Sequence, residues 1–95
     1  MSEAENKVIQ TPGRFELHVG DQVAFIEYRV MHSIIVMTHT EVPVSLEGGG
    51  VGAALVKGAL ELVKAQEAQI VPSCPFVAAY IKRHQEYQPL VFPLD

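Results

Sequence analysis

The chain has little positive charge, one cysteine and no long apolar run, and each shortage removes a class of protein. Seven lysines and arginines stand against eleven acids, for a net charge of −4. The one basic cluster is Lys82-Arg83-His84. Gripping a nucleic-acid backbone takes several phosphate contacts, so nucleic acid is excluded as the main partner. A single cysteine, Cys74, rules out an internal disulfide and suits a reducing compartment, the cytoplasm. The opening MSEAENKVIQ has neither the apolar centre nor the small-residue cleavage site of a secretory leader. No window approaches the roughly 18 apolar residues of a membrane span. No two histidines, and no histidine with Cys74, share a metal-ligand spacing, so no metal site is read. What remains is a small soluble domain, expected as a monomer or weak homodimer.

Residues 1–13 are polar and aperiodic up to Thr11-Pro12-Gly13, and are expected as a flexible tail before a single domain over 14–95. Phe15, Leu17 and Val19 then alternate with polar residues, which marks a half-buried strand. Gly20-Asp21 is a two-residue turn, and Val23–Val30 runs back as a second strand. After a weak connection at Met31-His32-Ser33, the apolar run Ile34–Thr38 reads as a central strand covered on both faces. From Gly52 the period becomes helical, with Leu55, Val56, Ala59, Leu60 and Val63 on one face. Glu61 and Lys64 are spaced to pair on the other. Gly58 lies inside this helix, and the reading preferred here is a merely suboptimal residue rather than a close packing contact. Gln69–Pro72 is a short strand, Pro75 opens a second helix over Phe76–Arg83, and Gln88–Pro93 pairs at an edge or lies on the surface. The order β-β-β-α-β-α gives an α/β (α+β) fold, mostly antiparallel with one right-handed βαβ crossover.

The feature that calls for explanation is Gly48-Gly49-Gly50-Val51-Gly52, placed between strand and helix. With Ala53 it satisfies G-x-G-x-x-A, the dinucleotide fingerprint. However, Ser73-Cys74-Pro75 stands where the ribose-binding acid belongs, and no room remains for a doubly wound sheet. A P-loop fails because no Gly-Lys-Ser/Thr follows. Two meanings are left: a mobile loop, or an anion site. The first turn of a helix offers unpaired N–H groups and the positive end of the macrodipole. Glycines there let a diphosphate approach without meeting a Cβ atom, and such a site needs no lysine.

Glu47-x-x-Gly50-Val51-Gly52 resembles the acyl-coenzyme A motif of the GNAT superfamily of N-acetyltransferases, Gln/Arg-x-x-Gly-x-Gly/Ala, with an acid in the leading position. The chain is similar in particular to the small, single-domain YjdJ-type group, which pairs an HTxVP…GxGxG loop with a CPF segment. Here these are His39-Thr40-Glu41-Val42-Pro43 and Cys74-Pro75-Phe76, followed by Tyr80 and Tyr87. The resemblance spans Arg14 to Tyr87. It implies a GNAT-like fold that binds acetyl-coenzyme A and moves its acetyl group to a small-molecule or peptide amine. Coenzyme A is then the cofactor. A binding or sensing module for coenzyme A with little turnover is the alternative, since the helices that shape the acceptor site in larger GNAT enzymes are missing.

The same resemblance nominates residues. Amides from Gly48, Gly49, Gly50, Val51, Gly52 and Ala53, with Glu47 at their head, face the diphosphate. Backbone groups of Val42 and Val44 pair with the pantetheine arm where two strands part, and Pro43 marks the end of pairing. The Val42 N–H is the expected oxyanion donor. Cys74 is a nucleophile or a partner of the leaving thiolate, or else a buried inert thiol. His39 is a general base or a histidine bonded beside the sheet; Tyr80 is an acid for the thiolate or a core aromatic. Arg83, with Lys82 and His84, touches the 3′-phosphate end or simply closes a solvated helix.

Overall fold

A computed structural model describes residues 7–93. The expected tail falls partly outside them, at residues 1–6, and its remainder is no tail. Val8–Thr11 forms a strand, β1, antiparallel to β2 (Arg14–Val19), with Val8 opposite Leu17 and Thr11 opposite Arg14. Tyr28 fastens it by donating its hydroxyl to the Thr11 carbonyl at 2.7 Å. The next strands, β3 (Gln22–Met31) and β4 (Ile34–Glu41), continue an antiparallel meander. Gly20 makes the turn from β2 to β3 with φ +61°, as its type suggests. The turn from β3 to β4 uses His32 and Ser33, both at positive φ, the geometry usually given to Asn-Gly. No residue-type signal announces it.

A 3-10 turn at Val44–Leu46 and the glycine loop lead into helix α1 (Val51–Ala65). Strand β5 (Gln69–Pro72) then returns parallel to β4, followed by α2 (Pro75–Arg83) and a 3-10 segment over Gln85–Leu90. Val91 bridges Ile70 in parallel, and the Phe92 N–H donates to the Ile70 carbonyl at 2.8 Å, so the last described residues cover the β5 edge of their own chain. The sheet order is β1-β2-β3-β4-β5, mixed but mostly antiparallel, with helices packed on one face. Among the described residues no helix is long and apolar enough to cross a membrane.

The core forms where two periods meet. Phe15, Leu17, Ala24, Ile26, Ile35, Met37 and Ile70 point from the sheet into the stripe of α1. That stripe is Leu55, Val56, Ala59, Leu60 and Val63, as the helical period requires, and Val77 and Ile81 of α2 close it. Each large side chain so buried contributes about 1.5–3 kcal/mol. Gly58 corrects the expectation made for it. A Cβ there would stand 2.7 Å from the Val8 Cβ, so the position is a seat for β1. Glu61 is also engaged differently from the expected Lys64 pair: it accepts the Tyr87 hydroxyl at 2.6 Å.

Two local irregularities open the sheet beside β4. Glu27 lies opposite His39 and Tyr28 opposite Met37, so Thr38 is an extra residue, a bulge that bends the strand. Pairing with β5 ends at Met37 opposite Pro72, with one further bond from the Cys74 N–H to the Met37 carbonyl at 3.0 Å. Strand β4 continues to Glu41 paired on its β3 side alone. Pro43 therefore does not set the end of pairing; Pro72 and the bulge do. The sheet's second face is also open, contrary to the expectation of a central strand covered twice. Ile34 and Val36 lie half-buried there beside Val71 and Phe92.

Candidate functional site

The parting of β4 from β5 makes one wall of a cleft of about 420 Å³, and the glycine loop with the first turn of α1 makes the other. Thr40 and Val42 reach it from β4 and the residues after it, Leu46 and Glu47 from the 3-10 turn and its end, and Phe76 from α2. Gly48, Gly50, Val51, Gly52 and Ala53 complete it. The 3-10 turn is tied to the meander by Ser45, whose hydroxyl donates to the Gln22 side chain at 2.6 Å.

Helix α1 begins sharply. Gly50 is its cap at φ +81°, and the first bond runs from the Ala54 N–H to the Gly50 carbonyl at 3.0 Å. The amides of Val51, Gly52 and Ala53 consequently have no acceptor within the helix. A side chain at Gly50 would meet no atom within 4 Å but would be strained by the left-handed backbone. Gly52 has a different reason. A Cβ there would stand 2.6 Å from the Phe76 Cζ, so this glycine makes room for a ring. Phe76 is in turn 44% exposed, an aromatic face left open on the cleft. Gly52→Ala is expected to cost less than about 1 kcal/mol, because the tip of the exposed Phe76 ring swings clear of the added methyl. In a Phe76→Ala background the same change should stabilise by up to about 1 kcal/mol, the helix propensity gain alone, and a urea double-mutant cycle measures the difference.

Cys74 caps α2 at 5% exposure, its Sγ 3.1 Å from the Thr40 Oγ1, with either atom able to donate. Thr40 thus joins the thiol to the cleft. Sequence reasoning did not name Thr40 as a site residue, although it stands two positions before Val42, on the same side of an extended segment. Leu46 and Phe76 were also missed as lining residues; the CPF motif contained the second.

Other nominated residues lie elsewhere. His39 is exposed on the open face, its Nε2 3.3 Å from a Glu41 carboxylate oxygen and its ring edge-on to Phe25 at 6.4 Å. It sits across β4 from Thr40, because neighbours in a strand point to opposite faces. Val44 is 83% exposed and does not line the cleft; its carbonyl already accepts the Glu47 N–H at 3.1 Å. Of the Val42–Val44 pair, only Val42 reaches the cleft. Arg83 ends α2, seven residues past Phe76, which is about 10 Å along a helix axis. It does not line the cleft.

Tyr80 is buried one turn beyond Phe76, its ring stacked on His84 at 4.0 Å and tilted against Tyr87 at 6.2 Å. Burial pushes its hydroxyl pKa up, and the Glu86 and Glu61 carboxylates push it further. Tyr87 is raised more strongly, by burial first and then by its bond to Glu61. Raised values mean that the folded chain favours the neutral phenols. Their contribution to stability is complete below the ordinary tyrosine value near 10 and is lost as pH climbs through and past it. Tyr87→Phe is expected to flatten this alkaline loss, read from melting curves taken on either side of that pH.

With the geometry in place, comparison with known proteins is informative. Residues 14–90 match the family described as GCN5-related N-acetyl-transferase. The NMR solution structure of a GCN5-like protein from Staphylococcus aureus superposes with a TM-score of 0.71 at 27% identity, over 97% of this chain and 93% of that one. The match begins at Arg14, so β1 precedes it.

Proposed function

The chain belongs to the GCN5-related N-acetyl-transferase family, and from that premise we propose that it passes the acetyl group of acetyl-coenzyme A to a small-molecule or peptide amine. One observation carries the reading: the first-turn amides of α1 open on the same cleft as Thr40, which is bonded to the Cys74 thiol. The site fits the carrier. A helix N-terminus behaves as roughly half a positive charge, and the space over Gly48 and Gly50 is open for a diphosphate. Val42, Leu46 and Phe76 offer apolar surface to the arm, and the β4 edge, bare beyond Met37, offers it backbone groups.

Coenzyme A supplies the acetyl group as a thioester: the amine's C–N bond replaces the C–S bond, and the proton lost by nitrogen balances the one gained by sulfur. The Val42 N–H is assigned the role of stabilising the carbonyl oxygen as charge builds on it. Thr40 and Cys74 hold a shared proton where the departing sulfur arrives. His39, bonded to Glu41 on the opposite face of the sheet, lies outside the cleft, so the amine's proton passes to water and not to its ring.

The test is release of free coenzyme A thiol across a panel of amines, with the intact mass of the protein followed in parallel. Amine-dependent release is expected, falling about 100-fold in Cys74→Ala. An acetyl adduct on Cys74 marks a covalent step, whereas full turnover without one marks direct transfer. Coenzyme A binding with no turnover on any amine would leave the binding or sensing module. That second reading draws on the two-residue turns joining β2, β3 and β4, which leave no helices to enclose an acceptor.

A further inference from the structure

We infer that the open face of the sheet is a contact surface for a second copy of this chain, joined about a two-fold axis that crosses β3 between Glu27 and Arg29. The face is built like a covered one. On β4 the outward positions Ile34 and Val36 are apolar, and Val71 of β5 and Phe92 line a groove with them. Met31 joins the same groove and is 55% exposed. An antiparallel sheet with one solvated face ordinarily turns polar side chains to the water. The unbroken apolar run from Ile34 calls for a layer on each side, and the helices of this chain supply one.

Strand β3 identifies the missing layer. Its side chains on the open face are, in order, Phe25, Glu27, Arg29 and Met31: apolar, negative, positive, apolar. Half a turn about an axis across the strand sets Glu27 of each copy opposite Arg29 of the other. The same rotation sets each Phe25 opposite a Met31, so the strand complements itself. Arg29 stands opposite Val36 and, among the described residues, has no ion-pair partner, whereas Arg14, His18 and His39 each have one. Glu27 meets Arg14 only at 3.7 Å, in an exposed pair. The Phe25 ring already carries the Arg14 guanidinium at 3.8 Å, and an unbranched methionine adapts to that uneven surface. Val36 comes against His39, and Glu41 stays at the rim in water.

Charge and area agree with this occupant. The face sets Arg14 and Arg29 against Glu16, Glu27 and Glu41, a near balance on a protein of net charge −4. It therefore does not repel its own copy, and it offers no single sign to an oppositely charged partner. Five strands about 4.8 Å apart, with about 3.4 Å per residue along the 10 residues of β3, make a face of roughly 600 Å². Two such faces bury about 1,200 Å², the lower end for a specific interface, so the dimer is a weak one. The cleft opens on the helix side, and both clefts stay accessible.

Sedimentation velocity of the full chain, taken up to about 1 mM, tests this. A reversible monomer–dimer equilibrium is expected, with a dissociation constant on the order of 10⁻⁵–10⁻⁴ M. Arg29→Glu and Glu27→Arg should each weaken it at least about tenfold, because either change sets like charges against one another across the axis. An equimolar mixture of the two variants should associate again at about wild-type strength, since every facing pair is then of opposite sign. Met31→Lys, on the same face but away from both charges, should weaken the dimer by about tenfold as well, with circular dichroism unchanged in all three variants. A chain that stays monomeric at about 1 mM overturns the inference and leaves the face to a different partner. A dimer indifferent to both charge reversals overturns it too, as does a mixture that fails to associate, by placing the contact elsewhere.

Discussion

Coenzyme A is expected to raise the melting temperature of the wild-type chain and to leave that of Gly50→Glu unmoved. At a hundred times its dissociation constant a ligand stabilises the native state by about 2.7 kcal/mol, which for a domain of this size is a shift of the order of 10 °C. Gly50 caps α1 in the left-handed region, so glutamate there carries two handicaps. Backbone strain costs about 1–2 kcal/mol and lowers the starting temperature. The added carboxylate then competes for the free amides of Val51, Gly52 and Ala53. Gly50→Asn separates the two effects, because asparagine tolerates this backbone and brings no charge. It should keep most of the ligand shift. If Gly50→Glu kept it as well, the diphosphate would lie elsewhere and the assignment of the cleft would fall.

A comparable loss, of stability rather than binding, is expected at Gly58. Alanine is the better helix former by about 1 kcal/mol, so in an exposed position this change would stabilise. Here the added methyl meets the Val8 side chain, which is β-branched and has little freedom to turn away. Overpacking of this kind costs about 1–3 kcal/mol, and the overlap outweighs the propensity gain. Urea unfolding should show a lower midpoint for Gly58→Ala, partly restored when Val8→Ala is added. A Gly58→Ala chain more stable than wild type would mean that β1 does not rest on α1.

The two glycines also show what the sequence could and could not reveal. The stripe on α1 and the strands from Arg14 to Val30 were legible because burial there imposes a period that one segment displays by itself. Strand β1 was not. It buries Val8 and exposes Ile9 and Gln10, which leaves no alternation to recognise. Missing that strand made Gly58 look idle, since its reason lies fifty residues upstream. The bulge at Thr38 is a relation between two strands and has no signature in either, so Pro43 was credited with a gap that β5 and the bulge produce.

At the cleft, the glycine loop and Thr40–Val42 region were found by motif, but each glycine has its own cause. Gly50 is there for its backbone angle and Gly52 for the Phe76 ring. Phe76, Tyr80 and Arg83 share one short helix. Helix geometry separates them: the first meets the cleft, the second lies a turn deeper in the core, and the third stands at the far end of α2.

Strand order in the sheet repeats chain order, so four of the five strands meet through neighbouring hairpins, and only β4 and β5 wait on the passage of α1 between them. Contacts close in sequence form quickly, whereas those across a long excursion carry a closure entropy first. The meander is therefore expected to assemble early and the joint between β4, α1 and α2 to shut last, which folding and unfolding rates of variants in each would check. A molecule seated in that joint acts on a late-formed part of the native state. It slows unfolding and leaves the rate of refolding as it was.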